Sequence, residues 1–288
     1  MFAAQTKYHR AGSVSEAVEL LSKNEGAKIL AGGHSLIPIM KLRLAAPEVL
    51  VDIGRIAALK GITSRSGTVS IGALTTHAEI ASSDIVQSNT PLLAQAAGMI
   101  GDPAVRNRGT IGGNVSHSDP ASDLPTVLTA LGATFNVTGP NGDRTIGVAD
   151  FATGLLENAL DDNEILTSVT VPSEPAGSGS VYVKFSHPAS RYAVLGAAVI
   201  VAVDGGKCSS ASVAIGGVEA TPTKASAVES ALVGSDLSNG ALDAAAEAVL
   251  GDFGGDILGD IFASAEYRTA MAVVYLRRAL GEARTRAG

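Results

Sequence analysis

Two short apolar runs in this chain each break into paired glycines followed by a small polar side chain. They are Ala31-Gly32-Gly33-His34-Ser35 and Thr110-Ile111-Gly112-Gly113-Asn114. Without a Cβ in the way, main-chain N–H groups at such a break can turn toward one point. Successive amides aimed this way form a concave anion site, and a helix starting just beyond adds its positive end. Two such loops in one chain can hold one diphosphate from both sides. Taken singly, each also reads as an ordinary tight turn.

Composition narrows the partners. A chain of 288 residues has room for two domains, or for one large domain with an appendage. The formal charge of −7 argues against a nucleic-acid partner, which would need a basic face. No apolar run is long enough to span a bilayer. The N-terminus lacks the charged start and apolar stretch of a secretion signal, so the expected location is cytoplasmic. The single cysteine, Cys208, excludes internal disulfides and an all-cysteine iron–sulfur cluster, which needs four thiolates. Redox chemistry here would need an organic cofactor or centres in another chain. Cys208 follows the turn Asp204-Gly205-Gly206-Lys207 and reads as a structural strand residue.

In chain order, Ser13-Val14-Ser15-Glu16 is a capping box with Val14, Ala17, Val18 and Leu21 at helical spacing behind it. Lys28-Ile29-Leu30 leads into the first glycine pair. Leu36 to Arg43 then reads as a helix with Pro38 in its first turn, and Val49 to Ile53 as a buried strand. The opening segment is thus a β-α-β-α-β lobe with the glycines at a strand-to-helix turn. Beyond Gly54 the texture changes to short strands, including Thr68 to Ile71, and capped helices. Thr76-His77-Ala78-Glu79 is a second capping box, and Pro91 to Ile100 reads as a helix. Ser122 can cap a helix that runs to Leu131 and ends at Gly132. Gly139-Pro140-Asn141-Gly142 between Ala133–Thr138 and Thr145–Val148 signals a hairpin. Glu164 to Val171 is a further strand. Pro175 to Ser180 is a linker, followed by strands over Val181–Phe185, Leu195–Val203 and Lys207–Ile215. Helices over Lys224–Val233, Ala241–Leu250 and Ser264 to about Arg284 complete an α+β pair of layers.

Familiar catalytic signatures are missing. There is no G-x-G-x-x-G fingerprint, no P-loop and no G-x-S-x-G elbow. His9, His34, His77, His117 and His187 show no metal-like spacing with one another or with Cys208.

Three motifs in order carry a resemblance: Ala31 to Leu36, Thr110 to Asn114, and Asp119-Pro120-Ala121-Ser122-Asp123-Leu124-Pro125. The chain resembles the FAD-binding medium subunits of the molybdenum hydroxylases, the xanthine dehydrogenase family. Leu30 to Ile53, with His34-Ser35-Leu36-Ile37-Pro38-Ile39-Met40-Lys41, is most similar to the carbon monoxide dehydrogenase branch. The likeness extends to Ala265-Glu266-Tyr267-Arg268. It implies an α+β chain: a two-lobed FAD-binding domain of the vanillyl-alcohol-oxidase-like type, plus a C-terminal domain of antiparallel sheet and helices. The expected bounds are 1–54 for the N-terminal lobe, 55–174 for the middle lobe and 178–288 for the C-terminal domain.

By residue match, the resemblance places Ala31, Gly32, Gly33, His34, Ser35 and Leu36 around the FAD pyrophosphate. Thr110, Ile111, Gly112, Gly113 and Asn114 would close over it. Asp123 would accept hydrogen bonds from cofactor hydroxyls; the bland alternative is an acid favoured by a helix dipole. Ile100, Gly101 and Leu166 match flavin-side positions and would otherwise be plain core. Lys184 and Tyr192 match residues near the isoalloxazine ring, where a cation favours the reduced anion and a tyrosine covers a ring face. His34 and His117 are expected to shape the cavity wall and not to carry protons. Phe185-Ser186-His187-Pro188 departs from the basic run that the family shows after the matching lysine. No residue of the chain is expected to be catalytic toward substrate or to bind metal. The implied partners are a large molybdenum-cofactor subunit and a small subunit with two [2Fe–2S] centres, in a dimer of heterotrimers. Such an assembly leaves room for peripheral membrane contact without a transmembrane segment. The rival readings are a stand-alone flavin oxidase and a scaffold that keeps the glycines only as turns.

Overall fold

The computed structural model describes residues 2–287. The chain opens with β1 (Lys7–Arg10), α1 (Val14–Lys23), β2 (Lys28–Leu30), α2 (Leu36–Lys41) and β3 (Val49–Asp52), the expected β-α-β-α-β order. All pairings are parallel and the strand order is β1-β3-β2. Ser13 caps α1 through its side chain, and the helix buries Ala17, Val18 and Leu21 against Val49 and Val51.

The middle of the chain holds β4 (Ile62–Arg65), β5 (Thr68–Gly72), α3 (His77–Ser82), α4 (Asp84–Asn89), α5 (Pro91–Met99), α6 (Pro103–Arg106), α7 (Ile111–His117) and α8 (Asp123–Leu131). It continues through β6 (Thr134–Gly139), β7 (Gly142–Gly147), α9 (Val148–Phe151), β8 (Ala152–Gly154), β9 (Glu157–Asn158) and β10 (Ile165–Pro172). Five of these strands form an antiparallel sheet in the order β4-β5-β10-β6-β7, so the last strand lies at its centre. The hairpin at Pro140-Asn141 is present, with β7 starting at Gly142 and not at Thr145. The capping box on Thr76 and Glu79 is complete.

The third part holds β11 (Gly179–Ser186), β12 (Ala193–Asp204), β13 (Lys207–Gly216), β14 (Thr223–Lys224), α10 (Ser226–Leu232), α11 (Asn239–Ala248) and α12 (Ala265–Arg286). The four strands pair antiparallel in sequence order. Residues Ala193 to Val201 of β12 are buried without interruption, because both faces of this sheet are covered. Val199 and Leu195 face α12, which contributes Ala272, Leu276, Ala279 and Leu280, whereas Ala198 and Ile200 join the core of the middle region. Gly179 lets α12 come close, since a Cβ there would lie 1.9 Å from the Ala283 carbonyl oxygen. Gln95 of α5 caps the free edge of β11, accepting from Tyr182 N–H at 3.1 Å and donating to its carbonyl at 3.4 Å. Cys208 is a buried strand residue of β13. Among the described residues no helix is long and apolar enough to cross a membrane, and no three potential metal-ligating side chains cluster.

Candidate functional site

The three parts meet around a cleft of about 560 Å³, within the usual range for a ligand site. Its first wall is the β2–α2 connection. Ala31, Gly32, Gly33, His34, Ser35 and Leu36 all line it. Gly33 sits at φ +76°, a conformation that side chains with a Cβ adopt only at a cost. Gly32 has ordinary φ but no space: a Cβ would stand 2.2 Å from the Arg108 carbonyl oxygen. The first glycine of the pair therefore seats the loop on the Arg108–Gly109 turn, and the second turns it. Ile37 N–H bonds to the Gly33 carbonyl to start α2. The amides of Gly32, Gly33, His34, Ser35 and Leu36 donate to no acceptor among the described residues.

The second glycine segment differs from its sequence reading. It is not a loop before a helix; Ile111 to Asn114 are the first turn of α7 itself, with Thr110 as N-cap. Its amides are committed. Ile111 donates to the Thr75 carbonyl at 3.0 Å, Gly112 to that of Ala73 at 2.9 Å, and Asn114 to that of Thr110 at 2.9 Å. Gly113 N–H donates to the Thr110 hydroxyl at 3.2 Å. The paired glycines serve close packing: a Cβ on Gly112 would lie 2.6 Å from Ala73 Cβ. Thr110, Gly112, Gly113 and Asn114 line the cleft, whereas Ile111 is buried in the core and does not. Asn114 Nδ2 donates to the Ser122 hydroxyl at 3.1 Å, so Ser122 heads α8 without capping it by side chain. Asn114 Oδ1 is buried and unpaired, an acceptor awaiting a donor.

Ile100, Gly101, Leu166 and Tyr192 line the cleft as expected. Gly101, at φ +47°, has its carbonyl held by Arg106 and Arg191, each at 3.2 Å. Tyr192 comes from the β11–β12 connection. Burial and then the charge of Asp119 push its phenol up, and the Ser35 hydroxyl partly offsets this.

Asp123 also lines the cleft, but both oxygens are engaged. Oδ1 accepts from the Tyr182 hydroxyl at 2.7 Å and Oδ2 from Lys184 Nζ at 2.8 Å. Lys184 is not among the cleft residues; its side chain is 1% exposed behind Asp123. The cation expected beside the ring thus faces the carboxylate. Burial raises the Asp123 carboxyl, opposed by Lys184 and Tyr182.

Two functional features escaped the sequence reading. His77, capping-box neighbour at the start of α3, lines the cleft and packs against Gly109, whose missing Cβ would come within 2.8 Å of its ring. Burial, then the charges of His34 and Arg106, lower its pKa to about 4, so it is neutral at pH 7. Tyr182 is the second, legible only in that it alternates onto the same face as Lys184.

A small parallel lobe with a row of uncommitted loop amides, lining a cleft shared with an antiparallel lobe, defines a protein able to bind a phosphate-bearing ligand. Residues 3–174 match the family described as the FAD binding domain in molybdopterin dehydrogenase, and residues 180–283 the CO dehydrogenase flavoprotein C-terminal domain. The chain belongs to this family of FAD-binding subunits of molybdenum-containing oxidoreductases. It is 42% identical over 284 residues to the carbon monoxide dehydrogenase medium chain of Afipia carboxidovorans, covering 97% of each chain. It superposes on a chain of carbon monoxide dehydrogenase from Hydrogenophaga pseudoflava with a TM-score of 0.96 at 42% identity over the whole of both chains. Quinoline 2-oxidoreductase from Pseudomonas putida gives a TM-score of 0.93 at 29% identity over 99% of both. The residues present suit FAD: the uncommitted amides of 32–36 fit its phosphates, and the orphaned Asn114 Oδ1 fits a hydroxyl or N–H donor.

Proposed function

We propose that this chain is the electron-transfer flavoprotein subunit of a heteromeric molybdenum hydroxylase, set between the [2Fe–2S] clusters of a small partner and an external acceptor. FAD, when bound, supplies the exchange between one- and two-electron chemistry. The chain's own residues bind and orient it. Gly32 to Leu36 would hold the pyrophosphate, with Thr110, Gly113 and Asn114 addressing it from the other side. Ile100, Gly101, Leu166 and Tyr192 would wall the flavin. Asp123 would receive cofactor hydroxyls on the lone pairs that Tyr182 and Lys184 leave free.

The observation that carries this reading is the engagement of the cleft's buried carboxylates. Asp123 is tied to Lys184, and Glu164 to Arg144 at 2.6 Å. Neither is poised to shuttle protons for a substrate, which favours an electron relay over a stand-alone oxidase. We take the bounds 1–54, 55–174 and 178–288 as the lobes and domain; each holds most of one hydrophobic cluster, although Ile56, Leu59, Leu74 and Ile165 pack with the first lobe and Tyr182, Ala198, Ile200 and Ala214 with the middle one. The buried free thiol of Cys208 suits a reducing cytoplasm.

The reaction we favour for the whole complex is carbon monoxide oxidation, on the strength of the 42% and 41% identities to medium chains of that enzyme. A second reading, N-heterocycle or aldehyde oxidation, is supported by relatives nearly as similar. These are a 6-hydroxypseudooxynicotine dehydrogenase subunit at 38% and a glyceraldehyde dehydrogenase medium chain at 39%. Affinity purification tests both. A large molybdenum subunit and a small iron–sulfur subunit should co-purify, in a dimer of heterotrimers. The complex should bleach near 450 nm (a property of flavins generally) on adding carbon monoxide. Bleaching by an aldehyde or heterocycle alone selects the second reading. Turnover by the isolated chain contradicts the relay.

A further inference from the structure

The C-terminal sheet meets the cleft residue Asp123 through one face of its edge strand. Tyr182 and Lys184 alternate onto the side of β11 that meets α8, and both end on Asp123, the first residue of that helix. Nothing about this seat is incidental to the packing. Tyr182 is 1% exposed, and its ring crosses β12 over Gly196; a Cβ there would lie 2.2 Å from the phenol oxygen. Gly196 pairs with Gly216 on β13, where a Cβ would meet the Thr126 hydroxyl of α8 at 1.9 Å. Two bare positions side by side let α8 settle directly on the sheet. Gln95 meanwhile fixes both backbone groups of Tyr182.

An ionised carboxylate at this depth is costly unless its oxygens are matched. Lys184 supplies charge to one oxygen. The other oxygen depends on Tyr182, whose phenol is held protonated by burial and by the neighbouring Asp123 charge. With one bond to each oxygen, the rotation of the carboxylate is set, and so is the direction of the lone pairs left for the cleft.

We propose that Tyr182, which does not itself line the cleft, is the positioning residue for the Asp123 carboxylate, so that the C-terminal sheet sets how FAD hydroxyls are received. The proposal rests on the FAD reading above and on Asp123 as one of its acceptors. It gives the C-terminal domain a second role at the cofactor site, beside the wall that Tyr192 would form.

The test is a double-mutant cycle in the protein purified with its co-purifying subunits, reading FAD affinity by flavin absorption and release. Tyr182→Phe keeps the ring and removes one hydrogen bond to a charged group, and should weaken FAD about tenfold. Asp123→Ala should weaken it at least as much. The pair together should equal Asp123→Ala alone, because Tyr182 acts only through that carboxylate. Affinity against pH gives a second readout. The titratable groups facing Asp123 are Lys184, Tyr182 and, more remotely, Tyr192. Removing the phenol should move the acid limb of FAD binding to higher pH, which a purely structural role would not do. Unchanged affinity in Tyr182→Phe with a weakened Asp123→Ala overturns this proposal alone, as do losses that multiply in the double variant. Unchanged affinity in Asp123→Ala overturns the proposal together with the assignment of Asp123 beneath it.

Discussion

The two glycine pairs look alike in sequence and are built for different ends. At Gly32-Gly33 the backbone leaves five consecutive amides unspent in residues that line a cleft. At Gly112-Gly113 the same composition lies inside a helical turn whose amides are all bonded within the protein. The difference is visible in torsion angles: Gly33 has φ +76°, whereas neither Gly112 nor Gly113 has positive φ. One pair makes a binding surface from backbone. The other makes close packing, and presents the cleft with the side chains of Thr110 and Asn114 in place of free amides. A glycine pair thus marks a need for bare backbone at one or both positions, without saying whether a torsion angle or a neighbouring chain segment sets it.

The largest break should come at Gly32. An alanine there drives a Cβ into the Arg108 carbonyl, and neither backbone can yield without moving a lobe. Gly32→Ala should cost about 3 kcal/mol in chemical denaturation and release FAD. Gly112→Ala should approach that cost through its clash with Ala73, although the position offers no free amide. Equal stability of Gly112→Ala and wild type would undo the packing account of the second pair.

His77 lies at the seam of the two segments, and its protonation probes that seam. Its folded pKa of about 4 lies below the ordinary 6.5. The unfolded chain therefore binds the extra proton first. Stability contributed by His77 is full above pH 6.5, falls as pH drops toward 4 and levels off below. The loss is on the order of 3 kcal/mol. Denaturation midpoints against pH should show it, and His77→Gln should remove that slope. A slope that persists in the variant assigns it elsewhere.

Gly33→Ala is next, costing roughly 1–2 kcal/mol for left-handed backbone with FAD content falling alongside. The smallest effect on stability is expected at Gly113. Its φ suits any residue, and a Cβ meets the Thr110 hydroxyl at 3.0 Å and Ala31 Cβ at an ordinary 3.8 Å. Gly113→Ala should change the stability of the FAD-free protein by less than about 1 kcal/mol. A large loss there would erase the distinction between the two glycines of the second pair.

Much of this was legible in the sequence, because local signals and global fold agree. The Ser13 side-chain cap and the Thr76 capping box fixed helix starts (the Glu16 carboxylate accepts from Gly12 N–H, so the first box is not closed), Gly132 in left-handed conformation ended α8, and Pro140-Asn141 turned the hairpin. Most of the residues matched to the cofactor site do line one cleft. Each exception has its own physical cause. Ile111 points into the core because it opens a helix and not a loop. Lys184 turns to Asp123, a carboxylate 61 residues away in sequence, and no local pattern encodes that partner. Tyr182 and His77 were missed for the same reason. Each owes its role to a glycine on another element, Gly196 or Gly109, whose empty space is legible only once the chain is folded.

The most direct test is amide hydrogen exchange on the purified protein with and without FAD. The account predicts that Gly32 to Leu36 exchange readily without the cofactor and become protected with it. The amides of Ile111, Gly112 and Asn114 should be protected in both states. Protection gained at those three positions, with none at Gly32 to Leu36, would contradict it.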